Sequence, residues 1–423
     1  MRRSLLVSLV LLLGACSSTS EESAENTAPT EEPEKNADNA DRDPTAVSVE
    51  GQESTPAPDR VVVGRTNVTA SGNRYLAGTL DLTSTPTTID LPFEAVWVLP
   101  IADGSLIVVD ESGAALAVSP DGSSSAIGSV DASVAPLAVE QGTEEGIAIV
   151  LVPNTSGVDS DLPDASTVEA DGVMAWYDGA TDRVPHGALG DTTESTRLVI
   201  QRRQVGDPMD DAGDEIVASD RIVVDLEADP SSPVFEGLSP LLGDVDGDDV
   251  VDILTTISDT DTGARLAVFN INGELVAESD PIGQGNRWRH QIAVAPTNPN
   301  GGGVNEVIEV ETPHIGGLLQ FRAFGDGDLP VQFQTGTFQS HVLGSRNLDG
   351  AVVFDADGDR SPEVVVPTQG RDALAIVDSE PTDDGPLLID LAGATVSSNL
   401  ALGETEDSLR FAVALSDGRL LVW

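Results

Sequence analysis

A nine-residue acidic turn occurs twice, as Asp244-Val245-Asp246-Gly247-Asp248-Asp249-Val250-Val251-Asp252 and as Asp355-Ala356-Asp357-Gly358-Asp359-Arg360-Ser361-Pro362-Glu363. Each copy places carboxylates at its first, third, fifth and ninth positions and glycine at the fourth. Each then runs straight into an apolar strand, Ile253-Leu254 or Val364-Val365-Val366. Alternate carboxylates in a tight turn converge on one hard cation, with glycine relieving the turn and the ninth residue closing the shell. Backbone carbonyls near Val250 and Ser361 would complete it. Asp and Gly also make ordinary turns, but turn chemistry alone does not ask for five matched positions twice over. A third segment, residues 298–306, aligns on the same ruler with Asn298, Asn300, Gly302 and Glu306 at the four ligand positions. It keeps the turn and loses most of the charge, so it is expected to be empty or weak. The three copies start at 244, 298 and 355, spacings in the range where self-similarity means a propeller or a solenoid.

The rest of the chain fits that reading. Gly 41 and Pro 26, with 39% hydrophobic and only 4% aromatic residues, suit many short strands better than long helices. Val61-Val62-Val63, Trp97-Val98-Leu99, residues 106–109, residues 147–151, Leu198-Val199-Ile200 and Ile222-Val223-Val224 all read as strands, and no stretch sustains a helical apolar period. The expectation is an all-β chain. The acidic repeats resemble those of the FG-GAP and VCBS-repeat β-propellers, related to the calcium-loop blades of integrin α-subunit heads. The resemblance is good over residues 235–370 and extends to the rest of 60–423 by texture. It implies four-stranded blades, each with a calcium loop joining two strands, and structural calcium held by Asp244, Asp246, Asp248, Val250, Asp252, Asp355, Asp357, Asp359, Ser361 and Glu363. The Phe-Gly and Gly-Ala-Pro words of the integrin repeat are not evident as recurring repeat words, so its ligand surface does not carry over. Dividing the strand-rich length by a blade of about 50 residues favours seven blades, with six as the alternative. A terminal strand pairing with the opposite end would close the ring. Two smaller β domains split near 155–172 are the competing architecture.

The N-terminus and the charge set the compartment. Arg2 and Arg3, an apolar run to Leu13, and Leu13-Gly14-Ala15-Cys16 read as an export signal over residues 1–15. The tetrapeptide resembles the bacterial lipobox, which implies lipidation of Cys16, the only cysteine, as the new N-terminus. Two or more acyl chains give stable membrane attachment. Residues 16–59 hold almost nothing large and apolar and are expected to form a disordered acidic tether. The folded body is then 60–423, held at the extracytoplasmic face of a bacterial membrane. With 72 acidic against 21 basic residues and a net charge of -51, the surface repels phosphates, so a nucleic-acid partner is excluded. Saline surroundings alone would also favour such a surface.

Three of the four histidines lie close together in sequence, among arginines: Arg287, Arg289 and His290, then His314, then His341 and Arg346. On neighbouring blades these side chains would hold an anionic group of a ligand, or the imidazoles would ligate a transition metal. Interblade hydrogen bonding is the plainer role. No nucleophile elbow or zinc-protease motif is present in the sequence. The expected function is a membrane-anchored binding or protein-interaction module whose ligand is a protein or carbohydrate. The alternative is a propeller hydrolase or lyase using His314, His341 and Arg346.

Overall fold

A computed structural model describes residues 61–423, except 67–68, 144–145, 155–159, 163–164, 206–216, 227–231, 286, 302, 383–384 and 406–407. The described residues contain strands and turns and no α-helix. Consecutive strands pair antiparallel in short meanders. The first set is Ala95–Pro100, Leu106–Asp110, Ala114–Val118 and Ser124–Ser129, and the second contains Pro136–Thr143 and Gly146–Pro153. The third runs from Val168–Ala170 through Val173–Thr181 and Glu194–Val205 to Val217–Asp225. The fourth is Val234–Gly243, Asp252–Asp259, Gly263–Phe269 and Leu275–Glu278. One pair, Ser195 with Phe235, joins the third and fourth into a single sheet. The fifth set is Arg289–Ala295, Glu306–Glu311, Leu318–Ala323 and Val331–Gly336. The sixth is Val352–Asp355, Glu363–Pro367, Ala373–Val377 and Leu387–Asp390, and the seventh is Ala401–Glu404, Leu409–Ala414 and Arg419–Val422.

Neighbouring sets share cores in succession, from the third round to the second. Phe354 and Val365 of the sixth set pack with Leu402 and Phe411 of the seventh. Ala401 and Ala412 of the seventh pack with Val98 and Val108 of the first, and Leu99 and Val109 of the first pack with Ala138 of the second. The third and fourth, fourth and fifth, and fifth and sixth sets are joined likewise. This is a β-propeller, in which radial repetition hides the sheet faces. It also explains the unbroken apolar words in the sequence. Val365 faces one neighbour while Val364 and Val366 face the other, so alternate side chains enter different cores and every position is apolar.

The terminal strand pairs with the opposite end of the chain, as expected. Thr87–Asp90 pairs antiparallel with Arg419–Val422, completing the seventh set as its outer strand. The earlier strands go elsewhere. Val62–Arg65 pairs with Pro136–Thr143 on the free edge of the second set's first strand. Tyr75–Thr79 runs parallel to Val352–Asp355 on the corresponding edge of the sixth set. First strands therefore line the axis of the ring, and residues 61–66 and 69–82 run along it as a thread. Backbone bonds tie this thread in turn to Glu140, Glu169, Leu242, Ile292 and Val353. Buried Asn399 bonds both Val98 backbone groups and the Thr66 carbonyl, joining the seventh and first sets to the thread. Residues Ala57–Trp423 form one unit, without a division near 155–172.

Candidate binding cavity and acidic loops

All three acidic-type turns connect the first and second strands of a set, in the fourth, fifth and sixth sets. The two fully acidic copies share one hydrogen-bond frame. The Gly247 and Asp249 N–H groups donate to the two oxygens of Asp244, as those of Gly358 and Arg360 do to Asp355. Asp246 and Asp248 accept from Asp248 and Val250, and Asp357 and Asp359 accept from Asp359 and Ser361. Buried Asp252 accepts from Val245 at 3.0 Å, and buried Glu363 from Ala356 at 2.7 Å. Two left-handed residues shape each turn, Gly247 with Asp249 and Gly358 with Arg360; glycine takes that conformation without strain.

Within each loop the first three carboxylates bring one oxygen apiece to within 4.8 Å of one another. Burial, reinforced by the neighbouring acids, pushes Asp252 up to about 6 and Glu363 up to about 8. Glu363 Oε1 is buried and has no hydrogen-bond partner. The third turn differs. Asn300 Nδ2 bonds Glu380, and Glu306 accepts from Thr297, so polar pairs stand where the other loops gather charge. Asn298 accepts from Asn300 N–H within the turn, and Gly302 lies outside the described residues, as does Cys16.

The other face of the ring carries a cavity of about 850 Å³. Its walls come from turns between second and third strands, such as Glu111 and Arg371, and from the connections between sets, such as Asp131, Ser340, Arg346 and Ser398. In a meander these turns emerge at the end opposite the acidic loops. Cation loops and cavity therefore occupy opposite faces.

The histidines gather at the cavity's edge around Trp288. That indole stacks on His290 and His314 at 5.1 and 5.9 Å between centroids and meets His341 edge-on at 4.9 Å. His341 Nε2 lies 2.8 Å from the Ser345 carbonyl, which only accepts, so this nitrogen carries the proton. Its Nδ1 then accepts from His314 Nε2 at 2.7 Å. His290 Nδ1 bonds Ser340 Oγ at 2.8 Å. Burial pushes His314 down to about 4 and His341 down to about 3, and holds His290 well below the ordinary imidazole value. The cluster is neutral at pH 7, and both nitrogens of His341 are engaged.

The structure separates the arginines. Arg289 is buried in the fifth sheet, where it pairs with Glu309 and Glu311 and donates to the Ala264 and Asp280 carbonyls. That is a structural assignment, not the ligand contact expected from its sequence neighbours. Arg287 is exposed and donates to the Ile282 carbonyl, on the rim of a second, smaller cavity. Arg346 lines the large cavity and pairs with Asp191. Two groups escaped the sequence reading. The fourth histidine, His186, bonds buried Glu236, which also accepts from Ser258 Oγ; Arg371 lines the cavity from a turn that looks like any surface turn.

The histidine environment predicts acid sensitivity. The native pKa of His341 lies below the unfolded value of about 6.5, so the unfolded chain binds the proton first. Its contribution to stability is complete above about pH 6.5 and is lost as pH falls toward 3. Urea unfolding at pH 7 and pH 5 should show a loss of about 1–2 kcal/mol in the native chain that His341→Gln lacks. Equal pH dependence in both would show the imidazole to be solvated.

Comparison of the sequence with family models and with curated proteins found no match. Among solved structures, the WD40 β-propeller domain of Doa1 is 13% identical with a TM-score of 0.38, the match covering 79% of this chain and 95% of that one. BBS1N in complex with ARL6DN is 14% identical with a TM-score of 0.37, covering 82% and 93%. The rhamnogalacturonan lyase YesW is 14% identical with a TM-score of 0.35, covering 82% and 68%. The propeller character is carried by the strand order, the succession of shared cores and the pairing of Thr87–Asp90 with the C-terminal strand.

Proposed function

We propose that this chain is a lipid-anchored, extracytoplasmic β-propeller of the FG-GAP/VCBS-repeat kind, stiffened by calcium on one face of the ring and binding a ligand in the cavity on the other. The observation that carries this reading is the opposition of the two faces. The acidic loops bridge first and second strands far from the cavity walls, a position suited to holding sheets together rather than to touching a ligand. Read as blades, the strand sets number seven.

The donor set fits calcium. Each loop offers only oxygen, from three clustered carboxylates and a buried acid at the ninth position, with the Val250 or Ser361 carbonyl to complete the shell. Hard oxygen ligands suit calcium, and the unpartnered Oε1 of Glu363 is an acceptor awaiting a cation. Bound there, the ion would neutralise the crowded acids. In the cavity, His341 and Arg346 are already committed to Ser345, His314 and Asp191, an arrangement that favours holding a ligand over proton transfer. The anchoring part of the proposal rests on the single cysteine standing at the lipobox position.

Calorimetric titration of the full chain should count two calcium ions. Asp244→Ala and Asp355→Ala should each remove one. No binding, or binding that both variants retain, would reduce the loops to turns. In detergent phase separation the same preparation should follow the detergent and Cys16→Ser should stay in the aqueous phase.

A further inference from the structure

The cavity holds a cation that the protein itself does not neutralise. Arg74, Arg289 and Arg322, the well-buried guanidiniums, each meet a carboxylate at 2.9 Å or less. Arg371 meets none among the described residues, although the chain carries 72 acids. Burial alone lowers it, to about 10. Its backbone is fixed in the left-handed region, at φ 57, by bonds from its N–H to Thr368 and from Val396 N–H to its carbonyl. Non-glycine residues rarely adopt that conformation, and such residues gather at functional sites. Arg371 Nε donates to the Val396 carbonyl at 2.9 Å. This uses one edge of the fork at the cavity wall.

The surroundings give that cation a polarity. Arg346 is matched by Asp191, and the nearby His341 is neutral, so neither rivals Arg371 as a fixed positive charge. Across the seventh set, the wall from the first set and the connections on either side of it carries Glu94, Glu111 and Asp131. These acids disfavour a second negative charge and accept hydrogen bonds from donors. The volume, about 850 Å³, lies within the range of small-molecule sites. Resting on the reading of this cavity as a binding site, we propose that its ligand is a compact monocarboxylate, the carboxylate on Arg371 and hydroxyl or ammonium donors toward the acidic wall. An arginine fork reads the planar carboxylate group. At a net charge of -51, the protein admits an anion only where such a cation has been placed.

Two sources share this chemistry, sugar acids and amino acids, and the probes separate them. Calorimetry on the full chain, with calcium present, would use D-glucuronate, D-glucose and glycine at millimolar concentration. Binding of glucuronate or glycine, with glucose silent, is the expected result, and whichever acid binds identifies the source. Arg371→Gln should weaken that acid about tenfold or more, the loss of a charge-assisted hydrogen bond, and Arg371→Lys should retain part of it. Circular dichroism and the unfolding midpoint check that both variants fold. Glucose binding as tightly as glucuronate would overturn the carboxylate while leaving the cavity a binding site. Silence from every probe, or acid binding that a folded Arg371→Gln keeps, would overturn the proposal. The calcium count does not depend on any of these outcomes.

Discussion

Arg74→Ala is expected to lower the free energy of unfolding by about 3–5 kcal/mol, the cost of leaving one member of a buried ion pair behind. Arg74 belongs to the axial thread, and its Nε donates to Asp349 Oδ1 at 2.9 Å with both side chains nearly inaccessible. The same guanidinium reaches the carbonyls of Gly72, Gln291 and Ile292, and Asp349 also accepts from Thr66. Truncation strands a carboxylate in the centre of the ring. Replacing both partners with apolar residues, as Arg74→Met with Asp349→Leu, should recover much of the loss, because the desolvation cost then disappears as well. A chain beginning at residue 83 should lose cooperative unfolding altogether, since the first strands of the second and sixth sets lose the strands on their axial edges. The check is urea unfolding followed by fluorescence. A loss below about 1 kcal/mol for Arg74→Ala would give the pair the worth of a surface salt bridge and the thread a passive role.

The thread is also where sequence reading reaches its limit. Strand words such as Val364-Val365-Val366 are legible because burial on both faces writes itself as continuous β-branched residues. The acidic loops are legible because a turn that gathers carboxylates is local chemistry, and both copies repeat the same hydrogen-bond frame. Thr66 to Arg74 has neither signal. Its residues are mostly small and polar, and Thr66, Asn73 and Arg74 find partners hundreds of positions away, as when Asn73 exchanges side-chain bonds with the Val294 backbone. Nothing within the segment distinguishes it from the tether before it. Arg371 was hidden for a related reason: Thr368-Gln369-Gly370-Arg371-Asp372 reads as a solvated turn, and only the ring brings it to the cavity. Arg289 erred the other way, since adjacency to His290 suggested a shared role. Alternation along a strand would have warned that neighbours face opposite sides; Arg289 indeed pairs with Glu309 while His290 stacks on Trp288.

Glu363→Gln should stabilise the chain in chelator and destabilise it in calcium, and this crossing of signs separates a cation site from a turn. Without a cation, Glu363 is buried beside Asp355, Asp357 and Asp359, and its pKa rises to about 8. A carboxyl raised from its unfolded value of about 4.3 keeps full stability below that pH and loses it as pH climbs through the native value. At pH 7.5 the native chain in chelator therefore carries a penalty that the amide does not, on the order of 2 kcal/mol after relaxation of the exposed acids. Calcium reverses the balance, because the ionised carboxylate becomes a ligand and its unpartnered oxygen is satisfied. At one hundred times Kd each occupied loop should add about 2.7 kcal/mol to the native chain, and the amide should gain distinctly less. The thread makes the effect global. Thr79 donates to Asp355 Oδ2, and Leu80 and Leu82 N–H bond the Asp355 and Ala356 carbonyls, so the sixth-set loop is fastened to the segment on the ring axis. Ordering that loop should raise hydrogen-exchange protection along residues 75–82 as well as in the loop. If Glu363→Gln shifts stability in the same direction with and without calcium, the acids serve only to make turns.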